Sequence, residues 1–465
     1  MTKITNKLFL IFPIIFIFEM VFGYTGTLMM FGKVSVRVVI FLMSFLSLYA
    51  YSLFYVIKNK IKIFDLKDKN SVLGGFNIID WSFLVLFVST LFSMIVIPYF
   101  YRNIPLALDE IRDSAAMMSL FFPASFLIKK KQIDFNFLEN YIKILIFGLA
   151  VLHIALYIGQ SYNSMFLRHY FETLIKFFGG SGIHPPIILG HGGYVRIIYS
   201  TSIFLIIGIY LFLKNIDNAK PYDYLFFYSE IVAILTTMTK SIWLGMAIGL
   251  LIYILGYSYN KAKMGKKKEI VKLGAVMLGA LLMTVALDFT MFSGMVSVRL
   301  GNTFIHSSLH NDSPEEKEEI KESDKEGAVI SNDIKIHQMK LLFEKWKSKP
   351  IIGYGYGSYV EGYLRSESSP FSYEMTLFAM LMKIGILGML CWGFFVISMI
   401  VFMCKNCKSN AQELYSWLFL IVSFGAIVQT NPFLLNFSGI GFLLVIGLTC
   451  VNKYVLNCEE KTIKE

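Results

Sequence analysis

Apolar residues in this chain gather into twelve blocks, each closed off by a polar stretch. The blocks lie near 7–23, 34–57, 78–98, 114–128, 141–160, 197–213, 223–239, 241–258, 271–289, 376–402, 413–430 and 434–452. About twenty apolar residues in a helix cover a bilayer's hydrocarbon, and fewer suffice where the helix stops inside protein. The pattern predicts an all-α polytopic membrane protein with about twelve transmembrane helices. The opening stretch MTKITNKLFLIFPIIFIFEMVFG has a basic start and an apolar run but no small-residue cleavage site, so it reads as a retained first span. Spans seven and eight meet at Thr239-Lys240-Ser241 with almost no loop.

The polar stretches alternate in kind. Lys58, Lys60, Lys62, Lys67 and Lys69 follow the second block, and Lys129, Lys130 and Lys131 the fourth. Lys214 and Lys220 follow the sixth, Lys261, Lys263, Lys266, Lys267 and Lys268 the eighth, and Lys405 and Lys408 the tenth. All of these lie on the side of both termini, which the positive-inside rule assigns to the cytoplasm. The seven arginines, Arg37, Arg102, Arg112, Arg168, Arg196, Arg299 and Arg365, fall on or next to the other side. A guanidinium fork kept where positive charge is scarce points to bidentate binding of phosphate or carboxylate. Anchoring at the lipid headgroups is the alternative for each, and Arg37, beside the end of the second span, is the best placed for it.

Composition agrees with the membrane reading: 56% of residues are hydrophobic, 16% charged, and the mean hydropathy is +0.61. The net charge of +11 comes from lysines in short loops facing anionic lipid, not from one groove, which argues against a nucleic-acid partner. The five cysteines map to membrane or cytoplasm, so no disulfide framework is expected. The lone Cys404-Lys-Asn-Cys407 lacks the second pair of a zinc site.

The blocks divide the chain into 1–289 with spans one to nine, a large extracytoplasmic loop at 290–375, and 376–465 with spans ten to twelve and a cytoplasmic tail. Two shorter external segments, 99–113 and 161–196, complete the outer surface; the second holds His184 and His191, best read as loop hydrogen-bonding residues. Within the large loop, Asp312–Glu326 is charged without apolar periodicity and reads as a solvated insert. After it, Ser331-Asn332-Asp333 can cap a helix that ends before Pro350. Ile336, Met339, Phe343 and Trp346 form one stripe at helical spacing, so an amphipathic helix should lie apolar stripe down, with His337, Lys340, Glu344 and Lys347 beside it.

Chemistry is sought among these outer residues. No GxxxxGK[ST] motif is present, so an internal nucleotide-driven motor is not indicated, and no HExxH or convincing Cys/His cluster suggests a metal. Gly353, Gly355 and Gly357 alternate where backbone could approach a ligand, though a plain glycine-rich turn explains them equally. Glu374 opens the tenth span. It is either a general base at the outer mouth or a carboxylate stabilising the helix N-terminus.

The succession of Trp346 on an amphipathic helix, Lys349-Pro-Ile-Ile-Gly-Tyr-Gly-Tyr-Gly-Ser-Tyr359, and a polar residue eleven positions before Gly385-Ile-Leu-Gly388 resembles the O-antigen polymerase and O-antigen ligase superfamily. These are the Wzy-type polymerases and lipopolysaccharide ligases. The motif resemblance covers about 331–390, and span count, cytoplasmic termini and the loop between spans nine and ten agree. Ligases carry a His-Asn pair where this chain has Glu374-Met375, a departure that fits a polymerase better. Arg196 matches a basic residue at the outer start of a mid-chain span. Thr239-Lys240-Ser241 matches the family's short S-R element, with a point charge in place of the fork.

The resemblance implies glycosyl transfer at the outer face of the bacterial cytoplasmic (inner) membrane, in O-antigen, capsule or exopolysaccharide synthesis. An undecaprenyl-pyrophosphate-linked glycan is donor and a lipid-linked repeat unit is acceptor. No cofactor or metal is implied; membrane lipids and a chain-length regulator are expected partners. Glu374 would activate the acceptor, and His337 would orient substrate or serve as an alternative base. Arg196, Lys240, Arg299 and Arg365 would hold pyrophosphate, and Arg102, Arg112, Tyr354 and Tyr356 would contact glycan or pyrophosphate. A ligase acting on lipid A-core is the near alternative. A flippase is the alternative of another class, but it usually shows repeated halves, and none is visible here.

Overall fold

A computed structural model of the chain describes residues 9–23, 30–31, 34–68, 70–101, 103–161, 187–189, 195–197, 199, 201–304, 333–363, 369–407, 410–429, 431 and 433–464. The helices are α1 (Ile11–Phe22), α2 (Val36–Lys58), α3 (Ile78–Phe100), α4 (Ile104–Lys129), α5 (Phe135–Ser161), α6 (Ser202–Lys214), α7 (Pro221–Thr236), α8 (Lys240–Lys263) and α9 (Lys267–Thr290). They continue with α10 (Met295–Phe304), α11 (333–347), α12 (Thr376–Asn406), α13 (Ala411–Val428) and α14 (Phe437–Lys464). Among the described residues are two short antiparallel hairpins, one pairing Met30 with Ser35 and the other Ile188 with Arg196.

The chain is an all-α polytopic membrane protein. Among the described residues, nine helices are long and apolar enough to cross a membrane. The other three expected spans correspond to the shorter helices α1, α6 and α7. In α6 every residue from Leu205 to Leu213 is buried; a helix enclosed by protein does not itself have to match the hydrocarbon thickness.

Segment 99–113, expected as an external loop, is instead largely helical. Residues 97–100 complete α3, and α4 starts at Ile104 with Pro105 in its first turn. Asp109, Arg112 and Asp113 are exposed while Ala107, Ile111 and Ser114 are buried. The charges lower the local hydropathy, but they lie on one helical face and leave the other free to pack.

The bundle has two chemically distinct ends. At the near end, where α1 begins and α14 finishes, lysines pair with carboxylates on neighbouring helices: Lys129 with Asp80, Lys143 with Asp223, Lys214 with Glu139, Lys261 with Asp217 and Glu269, and Lys453 with Glu413. The described arginines, Arg37, Arg112, Arg196 and Arg299, all belong to the far end. Arg37, expected to anchor in lipid headgroups, instead bonds the Glu19 carboxylate at 2.8 Å and covers the Phe437 ring.

Candidate active site at the far end

Two helices are broken at the far end, and one loop repairs both. In α3, residues Phe92–Val96 form a π-turn. The residue that would donate to Ser93 O in that pattern is Pro98, which has no N–H. Tyr356 N–H takes its place at 3.0 Å. In α12, Gly385 is left-handed, with φ 62°. The carbonyls before the break, Met382 O and Lys383 O, accept from Tyr354 N (3.0 Å) and Gly355 N (2.7 Å). The N–H groups after it, on Ile386 and Leu387, donate to Pro350 O (2.9 Å) and Ile351 O (3.0 Å).

The glycine-rich segment is therefore an insert between interrupted helices, neither a ligand cradle nor a plain turn. Gly353 N donates to Lys349 O and Gly357 N to Glu110 Oε2 at 2.6 Å, so every N–H from 353 to 357 already has a protein acceptor. Gly357 adopts φ 77°, and a side chain there would run into the backbone of Ala107. Tyr356, expected to touch glycan, is 1% exposed, so it belongs to the packing. Tyr354 is half-buried, lies under the Lys345 and Lys349 ammonium groups and bonds Ser348.

The helix α11 packs on this insert and on the start of α12. Its buried side is centred on Gln338 and Leu342, which are 1% and 0% exposed. The expected stripe is offset from that side: Ile336 and Phe343 remain exposed, while Trp346 packs against the Leu342 cluster. Gln338, polar and between the expected apolar positions, is drawn inward because its Oε1 accepts Met375 N–H at 2.9 Å. His337 is exposed and meets the Tyr363 ring edge-on at 5.6 Å.

Glu374 thus sits where α11 meets the first turn of α12, with Lys335 Nζ 3.8 Å from its carboxylate. Burial pushes the neighbouring Tyr373 phenol up to about 12. It stays protonated, and its oxygen accepts Val360 N–H at 2.7 Å, so it is a structural group rather than a competing base.

Lys240 reaches the same region through close packing. Gly245 and Gly249 on α8 let Ile427, Ser423 and Phe419 of α13 approach its backbone. The near-loopless turn predicted between spans seven and eight is present, with Met238 in a left-handed conformation, φ 47°. Lys240 is the first residue of α8. Its neighbour Ser241 accepts a hydrogen bond from Asn431 Nδ2, and Asn431 O accepts from Thr376 Oγ1 at 2.9 Å. One asparagine therefore links the Lys240 turn to the Glu374 turn.

Of the other expected site residues, Arg299 is buried in α10, and Arg196 is half-buried in the hairpin beside α5 and α7. Arg112 is exposed and bonds Asp113 at 2.9 Å. Arg102, Arg168, Arg365, His184 and His191 lie outside the described residues. Sequence reasoning missed Glu110 and Lys383, which form a buried ion pair beneath the insert, and Asn431. Lys383 did carry a signal: an ionisable residue within an apolar span is rare and costly.

Residues 225–393 match a family model described as O-antigen ligase. That stretch of the chain is similar to the O-antigen ligase family. The match agrees with the O-antigen polymerase and ligase superfamily, whose members are membrane glycosyltransferase-like enzymes. The matched stretch takes in Lys240, Arg299, α11, the glycine insert, Glu374 and Lys383. Arg196, Glu110 and Asn431 are supplied from outside it. No curated protein and no solved structure matches the chain.

Proposed function

We propose that the chain is a polysaccharide polymerase that transfers an undecaprenyl-pyrophosphate-linked glycan onto a lipid-linked repeat unit. The observation that carries this reading is the bridge Ser241–Asn431–Thr376, which gathers a cation at a helix start and a carboxylate around one region. In the reaction, an acceptor hydroxyl oxygen attacks the anomeric carbon of the donor sugar. The carbon–oxygen bond to pyrophosphate breaks, undecaprenyl pyrophosphate leaves with the bonding electrons, and the hydroxyl proton passes to Glu374. Lys240, with Arg196, Arg299 and Arg365, stabilises the charge developing on pyrophosphate. His337, exposed on the helix that meets Glu374, orients substrate or serves as an alternative base; Arg102, Arg112 and Tyr354 are the remaining glycan or pyrophosphate contacts.

The sugar–pyrophosphate bond supplies the driving force, so the reaction needs no nucleotide. Its setting is the bacterial cytoplasmic membrane, with both termini cytoplasmic and the far end outside; a chain-length regulator is the expected protein partner. The description of the matched family favours a second reading, ligation onto lipid A-core. Glu374 at the place of the ligase histidine supports the polymerase.

Deleting the gene and resolving surface polysaccharide on a gel separates the two. A lost ladder with one repeat unit retained marks a polymerase, and loss of every capped form marks a ligase. Complementation with Glu374→Gln should lower polymer formation about 100-fold or more. A ladder of normal length distribution from that variant would remove Glu374 as the base.

A further inference from the structure

Glu110 and Lys383 are 8% and 2% exposed and form an ion pair that no step above uses. Both carboxylate oxygens are engaged: Oε1 takes the Lys383 ammonium, and Oε2 takes Gly357 N–H at 2.6 Å. The ammonium also donates to Phe371 O at 2.7 Å. Two side chains thus join α4, the glycine insert, the first part of α12 and the segment leading to Glu374.

We infer that Glu110 and Lys383 are positioning residues that hold the Glu374 segment in register with the break in α12. This rests on Glu374 acting as the base. From the outer side, Gln338 and Asn431 hold Met375 and Thr376. From beneath, the ion pair holds Phe371 and the insert, so residues 371–376 are tied on both sides. An apolar pair could fill the same volume, but it would leave Gly357 N–H and Phe371 O unpaired where water is excluded. The tie is directional, and a base displaced by about 1 Å can lose about 100-fold in rate.

The test uses the full-length protein in detergent, with native cysteines replaced except the exposed Cys404 and with Glu374→Cys introduced. Maleimide labelling of the introduced thiol then reports access to position 374 without reference to any reaction. Glu110→Gln, which is isosteric, and Lys383→Met should each make that thiol label about tenfold faster, with Cys404 unchanged and Lys383→Arg close to the parent rate. If Lys383→Met is not monodisperse, Glu110→Gln carries the test alone. An unchanged labelling rate at position 374 overturns the inference. In the Glu374 background, the same neutralising substitutions should lower kcat about 100-fold with KM within about threefold. Faster labelling with parental kcat would leave the tie standing and strike the base assignment instead.

Discussion

Two ion pairs, Lys214–Glu139 at the near end of the bundle and Glu110–Lys383 at the far end, use charge in opposite ways. At the near end, pairs such as Lys214–Glu139 link neighbouring helices. The Glu139 carboxylate spends both oxygens on the Lys214 ammonium. At the far end, the Glu110 carboxylate divides its oxygens between an ammonium and a backbone N–H, and that ammonium in turn holds a carbonyl. The first arrangement closes on itself and can stand in for apolar packing. The second stitches irregular backbone that would otherwise be unsatisfied, the condition under which non-helical chain is tolerated within a membrane bundle.

Substitutions can break this contrast, most severely at the insert. Gly357→Val combines a left-handed backbone with a side chain facing the backbone of Ala107. It should abolish polymer formation while the protein still reaches the membrane, read by immunoblot and polysaccharide gel. Next come the double replacements. Lys214→Met should cost about 3 kcal/mol, and adding Glu139→Leu should recover most of it, measured by thermal unfolding in detergent. Glu110→Leu with Lys383→Met should recover stability less fully and turnover not at all, because Gly357 N–H and Phe371 O lose their partners. Equal recovery at both ends would erase the distinction. Between these and the surface lies Arg196→Lys, which keeps the charge but not the fork. A tenfold or so rise in donor KM is expected if pyrophosphate is held bidentately. Smallest is the exposed Arg112–Asp113 pair, where Arg112→Ala should change stability by less than about 1 kcal/mol, and less still at high salt.

The far-end residues were unequally legible in the chain. Glu374 stood out because it opens an apolar block and Lys240 because its turn resembles the family's short S-R element, and the structure links their turns. Glu110 was hidden because Asp109, Arg112 and Asp113 make its surroundings look like a loop, although only one face of that helix is polar. Gln338 was overlooked because helical periodicity counts apolar residues, whereas its burial is decided by Met375 N–H. The alternating glycines were visible, but their partners lie far away in sequence: Ser93, Glu110 and the broken turn at Gly385. Tyr356 looked available for sugar stacking until both helices closed over it.

Local composition determined that this chain is a bundle of apolar helices, where most of them begin and end, and that the described arginines gather at one end while lysine clusters fill the loops of the other. Hydrocarbon thickness and the positive-inside bias act on each segment in turn, so each segment carries that information by itself. Tertiary structure alone decided which carbonyls a proline and a left-handed glycine leave open, and which distant N–H groups fill them. It also decided that a lysine inside α12 meets a glutamate from α4. A hydrogen bond or buried ion pair needs both partners at one place, and one segment's pattern holds only half of that condition.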